Sequence, residues 1–159
     1  MINQKLTVMK QKLFILLAFF IVTSCQDKVA QEELSKIKAQ VQLEKRNKEL
    51  VKNYFNELGN TESDELSGFV DKYISSDIVL HLPEEEINSK DGLVKHYVEG
   101  KTTLPSAKQT INDIVAEEDK VAFRGVLNAV LPDEKEINVK FAGFWQIRDG
   151  KIVEWWSEY

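Results

Sequence analysis

One cysteine, two histidines and no glycine-rich loop leave few chemistries open to this chain. A single thiol cannot build a disulfide framework. A metal site needs three or more converging ligands, and two histidines with scattered glutamates show no such spacing, so no metal or other cofactor is expected. The run Glu84–Glu86 reads as a solvated acidic loop. Neither a phosphate-cradling glycine loop nor a G-x-S-x-G nucleophile turn is present. Basic charge is also scarce, with 21 Lys+Arg against 26 Asp+Glu and a net charge of −5. Nucleic acid is therefore not an expected partner, because phosphates demand a basic patch. The longest apolar run, Leu13 to Val22, is about half of the roughly 20 residues that a membrane-spanning helix needs.

That short run is informative for what surrounds it. Lys5, Lys10 and Lys12 lead into LFILLAFFIVTSC, the order of a secretory signal peptide. Val22-Thr23-Ser24-Cys25 resembles the bacterial lipobox. The resemblance implies that Cys25 receives a diacylglycerol and becomes the new N-terminus, which consumes the thiol. Residues 1–24 are then a lipoprotein signal peptide, and the expected location is the bacterial cell envelope, with the chain held to the membrane by lipid on Cys25. Three of the 21 Lys+Arg and none of the 26 Asp+Glu fall in those 24 residues. The mature chain keeps 18 basic against 26 acidic residues, a net charge of −8. Its roughly 135 residues suffice for one domain with one core.

Residues 25–47 read as a charged helical stalk. Leu34, Ile37 and Val41 recur at helical spacing, but Glu44 and Lys48 interrupt the stripe before a coiled coil is established. Residues 48–159 form the domain. Its first helix carries Leu50, Val51, Tyr54, Phe55 and Leu58 on one face and ends at Gly59. A second helix follows in TESDELSGFVDKYIS, with Thr61 and Asp64 as a capping box and Leu66, Phe69, Val70, Tyr73 and Ile74 facing inward. A short strand, Asp77–Leu82, stops at Pro83. Asn88 or Ser89 caps a third helix through Leu93, His96 and Tyr97. Four strands then follow, separated by turns at Glu117–Lys120, Pro132–Lys135 and Arg148–Gly150. The fold class is α+β: a cone-shaped, curved antiparallel sheet with three helices on its concave face.

Strand periodicity assigns the large side chains to faces. Ile137, Val139, Phe141, Gly143 and Trp145 share one face, with Phe144 on the other. In the closing run IRDGKIVEWWSEY, Trp156 shares parity with Ile152 and Glu154. It is assigned to the concave cavity with Phe141, Trp145 and Tyr54. Trp155 shares parity with Val153 and Ser157 and is assigned to the outer face, where a second subunit would cover it. Gly143, between Phe141 and Trp145, leaves a gap in this ring that suggests room for a guest, or relief of crowding in a curved sheet.

Tyr54-Phe55, D-I-V-L-H-L-P, the helix ending H-Y, the hairpin around EEDKVAFRG and the terminal F-W-Q-I-R-D-G-K-I-V-E-W-W together resemble the SnoaL-like branch of the nuclear transport factor 2-like superfamily. The resemblance covers Lys48 to Tyr159. It implies a conical barrel with one apolar pocket, commonly dimerised through its sheet, in a family of cyclases, isomerases, dehydratases, epoxide hydrolases and non-catalytic binding domains. In the ketosteroid isomerase pattern the essential tyrosine falls on Tyr54, but the proton-moving acid falls on Leu82 and the second oxyanion donor on or beside Gly143. Two of three groups are missing, which argues against that reaction. Where a cyclase-like aspartate would stand, this chain has Ser157. Three function classes stay open. The leading one is binding of a small, mostly apolar molecule by Tyr54, His81, His96, Tyr97, Phe141, Gly143, Trp145 and Trp156. The second is catalysis of the cyclase, isomerase or hydratase type by His81 with Tyr54. The third is a non-catalytic protein-interaction module.

Overall fold

A computed structural model describes the backbone of residues 2–131 and 133–158, and side chains from Lys28 on. The proposed cleavage site and Cys25 lie outside the described side chains. The chain divides into two compact units, residues 1–41 and 42–159. Helix α1 spans Ile2–Leu58. In the first unit Leu34, Ile37 and Val41 are exposed, so the short apolar stripe has no covering surface there.

The second unit is built from the last turns of α1, from α2 (Leu66–Tyr73), α3 (Lys90–Thr103) and six strands. The strands are β1 (Ile74–His81), β2 (Glu86–Ile87), β3 (Lys108–Glu117), β4 (Lys120–Val130), β5 (Glu136–Arg148) and β6 (Lys151–Glu158). They form one sheet in the order β2-β1-β6-β5-β4-β3. The expected α+β architecture is present, with one correction. The sheet is mixed, because β1 runs parallel to β6 while all other pairs are antiparallel. Two strands separated by the whole chain between β1 and β6 are free to pair in either sense, and nothing local in their sequences decides which.

Local chemistry explains several element ends. Ser89 caps α3 by accepting a hydrogen bond from the Gly92 N–H at 3.1 Å. The Thr61 capping box does not form: its hydroxyl donates back to Glu57 O at 2.9 Å, and α2 starts only at Leu66 without a side-chain cap. Between β5 and β6, Asp149 and Gly150 both have positive φ (51° and 74°). That is the two-residue hairpin whose twist suits the flanking strands. Two stalk-like residues hold the β3–β4 turn: Asn47, buried, donates to Glu118 O at 3.0 Å, and Glu44 accepts from the Glu118 N–H at 3.3 Å.

The core is largely aromatic. The fully buried ring of Tyr54 lies 4.9 Å from Phe69 and from Trp145, 5.3 Å from Tyr73 and 5.7 Å from Trp155. Most of these contacts are edge-to-face, the arrangement that ring quadrupoles favour by about 0.5–1.5 kcal/mol per pair.

The two tryptophan assignments are reversed. Trp155 is 6% exposed and packs 4.8 Å from Trp145, whereas Trp156 is 38% exposed on the opposite face. The cause is a bulge. Gln146 pairs with Glu154 but Ile147 pairs with Ile152, so Val153 is an extra residue in β6. One inserted residue moves every later side chain to the other face.

Candidate functional site

A cavity of about 170 Å³ opens between the end of α1, the outer half of α3 and the sheet. Leu58 and Gly59 come from the α1 exit, and Leu80 and Leu82 from β1 and the residue beyond it. His96, Tyr97, Gly100 and Lys101 come from α3, which runs six residues past Tyr97 before Leu104 caps it. Gln109, Leu127 and Trp155 close it from β3, β4 and β6. The wall is mainly apolar with a few polar groups, the usual composition of a small-molecule site.

Those polar groups have definite partners. The hydroxyl of Tyr97 is hydrogen-bonded to that of Tyr54, which links the cavity wall to the aromatic core. His96 Nδ1 lies 3.3 Å from Glu85 Oε1, at the cavity rim. Lys101 Nζ donates to Leu58 O at 3.1 Å, satisfying a carbonyl at the C-terminal end of α1. Trp155 Nε1 is buried with no partner among the described residues. No Asp or Glu is in the lining, so the described wall has no carboxylate to act as acid or base.

Of the residues singled out from sequence, His96 and Tyr97 line this cavity, and Tyr54 stands one hydrogen bond behind it. His81 is elsewhere. On β1 its neighbour Leu80 points into the core, so His81 points out, with Nδ1 3.3 Å from Glu86 and Nε2 3.2 Å from Glu154. Its ring stacks on Trp156 at 5.0 Å and 18°. His81 and Tyr54 therefore do not meet, and Trp156 is not a cavity residue. Trp155 takes its place.

Phe141, Trp145 and Gly143 belong to the packed core. A Cβ on Gly143 would come within 2.4 Å of the Phe123 ring, so the gap there is filled by Phe123 and not by a guest. The open space is at a different glycine. A Cβ on Gly100 would meet nothing within 4 Å. A sequence signal for this wall exists: His96, Gly100 and Leu104 are spaced by four, one helical face, once α3 is extended beyond Tyr97. Among the described residues no cluster of three or more potential metal ligands occurs.

The SnoaL-like domain family matches residues 51–155. The chain belongs to that family. Among solved structures, AclR from Streptomyces galilaeus, a candidate hydroxylase, is 26% identical, with a TM-score of 0.60 over 70% of this chain and 77% of AclR. IdmH from Streptomyces antibioticus, a candidate polyketide cyclase, is 20% identical, with a TM-score of 0.61 over 70% and 90% of the two chains. An epoxide hydrolase from M. tuberculosis is 16% identical, with a TM-score of 0.60 over 72% and 82%. Among curated proteins none matches. A SnoaL-like domain is a ligand-binding or enzymatic scaffold, and its fold alone does not select between them.

Proposed function

We propose that the protein is a lipid-anchored protein of the bacterial cell envelope whose SnoaL-like domain binds a small, mostly apolar molecule between α1, α3 and the sheet. The observation that carries this reading is the leucine- and tryptophan-walled cavity of about 170 Å³. Drug-sized ligands occupy sites of about 300–1,000 Å³, whereas an engineered protein cavity of about 150 Å³ holds benzene. The guest is thus one ring, or the end of a short chain.

Intrinsic fluorescence tests this directly, because Trp155 forms part of the wall. Titration with single-ring and short-chain compounds should give a saturable change. Gly100→Phe, which adds bulk in open space, should abolish it while leaving the thermal melt in place. No saturable change with any of them would leave the interaction-module reading standing. An enzymatic second reading is favoured by one contact, the His96–Glu85 pair at the rim, which could orient His96 as a base. It moves the catalytic candidate from His81 to His96. Turnover of a bound compound that is lost in His96→Ala would select it over simple binding.

The anchor rests on the order of lysines, apolar run and V-T-S-C. Cys25→Ala should abolish incorporation of labelled fatty acid; unchanged labelling would remove the lipid from the account. We also infer a homodimer through the outer sheet face, where Trp156 and Phe144 are both exposed with rings 5.4 Å apart. Exposed aromatic pairs on a sheet face are a frequent mark of a protein contact.

A further inference from the structure

We propose that the outer-face dimer is built about a two-fold axis that runs along β5 at Phe144, so that β6 of each copy lies on β4 of the other. This inference rests on the dimer reading above and assigns which residues of the second copy the face meets. The strand registers carry it. Glu86, His81, Trp156, Phe144, Ala122 and Val115 are successive partners on β2, β1, β6, β5, β4 and β3, so they form one row across all six strands on one face. The middle of the row is apolar and open to solvent. Trp156, Phe144 and Val115 are exposed, and the His81 ring extends this surface by stacking on Trp156.

A row of charge lies on either side. Two residues along the strands, Glu154, Gln146 and Lys120 are partners on β6, β5 and β4. Two residues the other way, the partners are Glu158, Ala142 and Arg124. Both flanking rows are thus acidic on β6 and basic on β4. Lys120 and Glu158 take part in none of the ion pairs among the described residues. Arg124 binds Asp113 through Nε, which leaves its Nη groups for a second carboxylate.

Face-to-face sheets stand about 10 Å apart with their strands nearly aligned. A symmetric pair can then be related by an axis along the row or along the strands. An axis along the row sets β6 on β6 and exchanges the flanking rows. Glu154 then meets Glu158 and Lys120 meets Arg124, like charge on like, while Trp156 and Ala122 each meet their own copies. An axis along β5 sets β6 on β4 within each row. Glu154 then meets Lys120 and Glu158 meets Arg124, each pair formed twice. The Trp156 indole covers the second copy's Ala122, and Phe144 meets itself on the axis. Moving that axis by one strand to lie between β6 and β5 sets Glu154 on Gln146 and loses the pairs. Only the axis at Phe144 sets acid on base and large side chain on small.

Sedimentation of the full-length protein at low salt, where charge pairs are least screened, tests the arrangement separately from the dimer. The unmodified chain should be a dimer. Glu154→Lys with Glu158→Lys, and separately Lys120→Glu with Arg124→Glu, should each raise the dimer dissociation constant by about a hundredfold or more, because each puts like charges in all the contacts. An equimolar mixture of the two variants should recover the dimer as a heterodimer, and that recovery also shows both to be folded. A monomeric unmodified chain overturns the dimer reading and the arrangement with it. A dimer of unchanged affinity in either variant, or a mixture of folded variants that stays monomeric, overturns the arrangement and leaves the outer-face dimer itself standing. If a double variant fails to fold, Glu158→Lys and Arg124→Glu alone, both at exposed positions, are measured and mixed by the same criteria.

Discussion

Phe123 pairs across the β4–β5 ladder with Gly143, and Phe141 pairs with Gly125. Each ring covers the glycine opposite: an added Cβ would stand 2.4 Å from Phe123 at Gly143 and 2.8 Å from Phe141 at Gly125. These two reciprocal pairs let a strongly aromatic face pack without collision. Gly143→Ala should therefore destabilise the domain by about 1–3 kcal/mol, the usual cost of overpacking. Gly68, in α2, has nothing within 4 Å of its absent Cβ. Gly68→Ala should stabilise by about 0.5–1 kcal/mol through helix propensity. Urea midpoints of the two variants should move in opposite directions; a neutral Gly143→Ala would contradict the packing described. The missing bulk at Gly143 was visible in the sequence. What fills it was not, because Phe123 lies 20 residues away and reaches Gly143 only through the pairing register.

Among the elements, charges join the helices to one another. Glu57 of α1 binds Lys72 of α2 at 2.7 Å, and Asp71 of α2 binds Lys90 of α3 at 2.9 Å. Lys151, at the start of β6, donates to the last-turn carbonyls Asp71 O and Lys72 O. The hydrogen bond from Lys72 holds the Glu57 carboxyl below its ordinary value of 4.5, and that from Lys90 holds Asp71 below 3.8. Both folded-state values are depressed. Their stabilisation is thus present above the unfolded values and is lost as pH falls through the folded ones. Because both pairs are largely exposed, the effect is modest. Urea midpoints should fall as pH is lowered below about 4.5, and Lys72→Met should make that fall shallower. An identical pH profile for the variant would remove the pair from the account. Helix faces and the Ser89 cap were readable because they depend on neighbours a few residues away. These cross-helix ties were not, since Glu57 and Lys72 are 15 positions apart.

In the molecule as a whole, the outer sheet face carries the proposed dimer contact. Trp156→Glu should place an unpaired charge in a desolvated patch, at a cost of several kcal/mol. Sedimentation should then shift from dimer to monomer with the fold retained. Trp155→Glu should instead unfold the domain, because that side chain is in the core. A protein that sediments as a monomer before any substitution has no such interface. The sequence by itself determined the α+β order of elements, the apolar helix faces and the family resemblance that the match over residues 51–155 bears out. Each of these depends on residue type and on periods of 2 or 3.6 within one element. Tertiary structure decided which tryptophan enters the core, which glycine leaves room, and that His81 and Tyr54 lie apart. The physical reason is register. The bulge at Val153 exists only where β6 pairs with β5, and counting parity along an isolated strand passes over it.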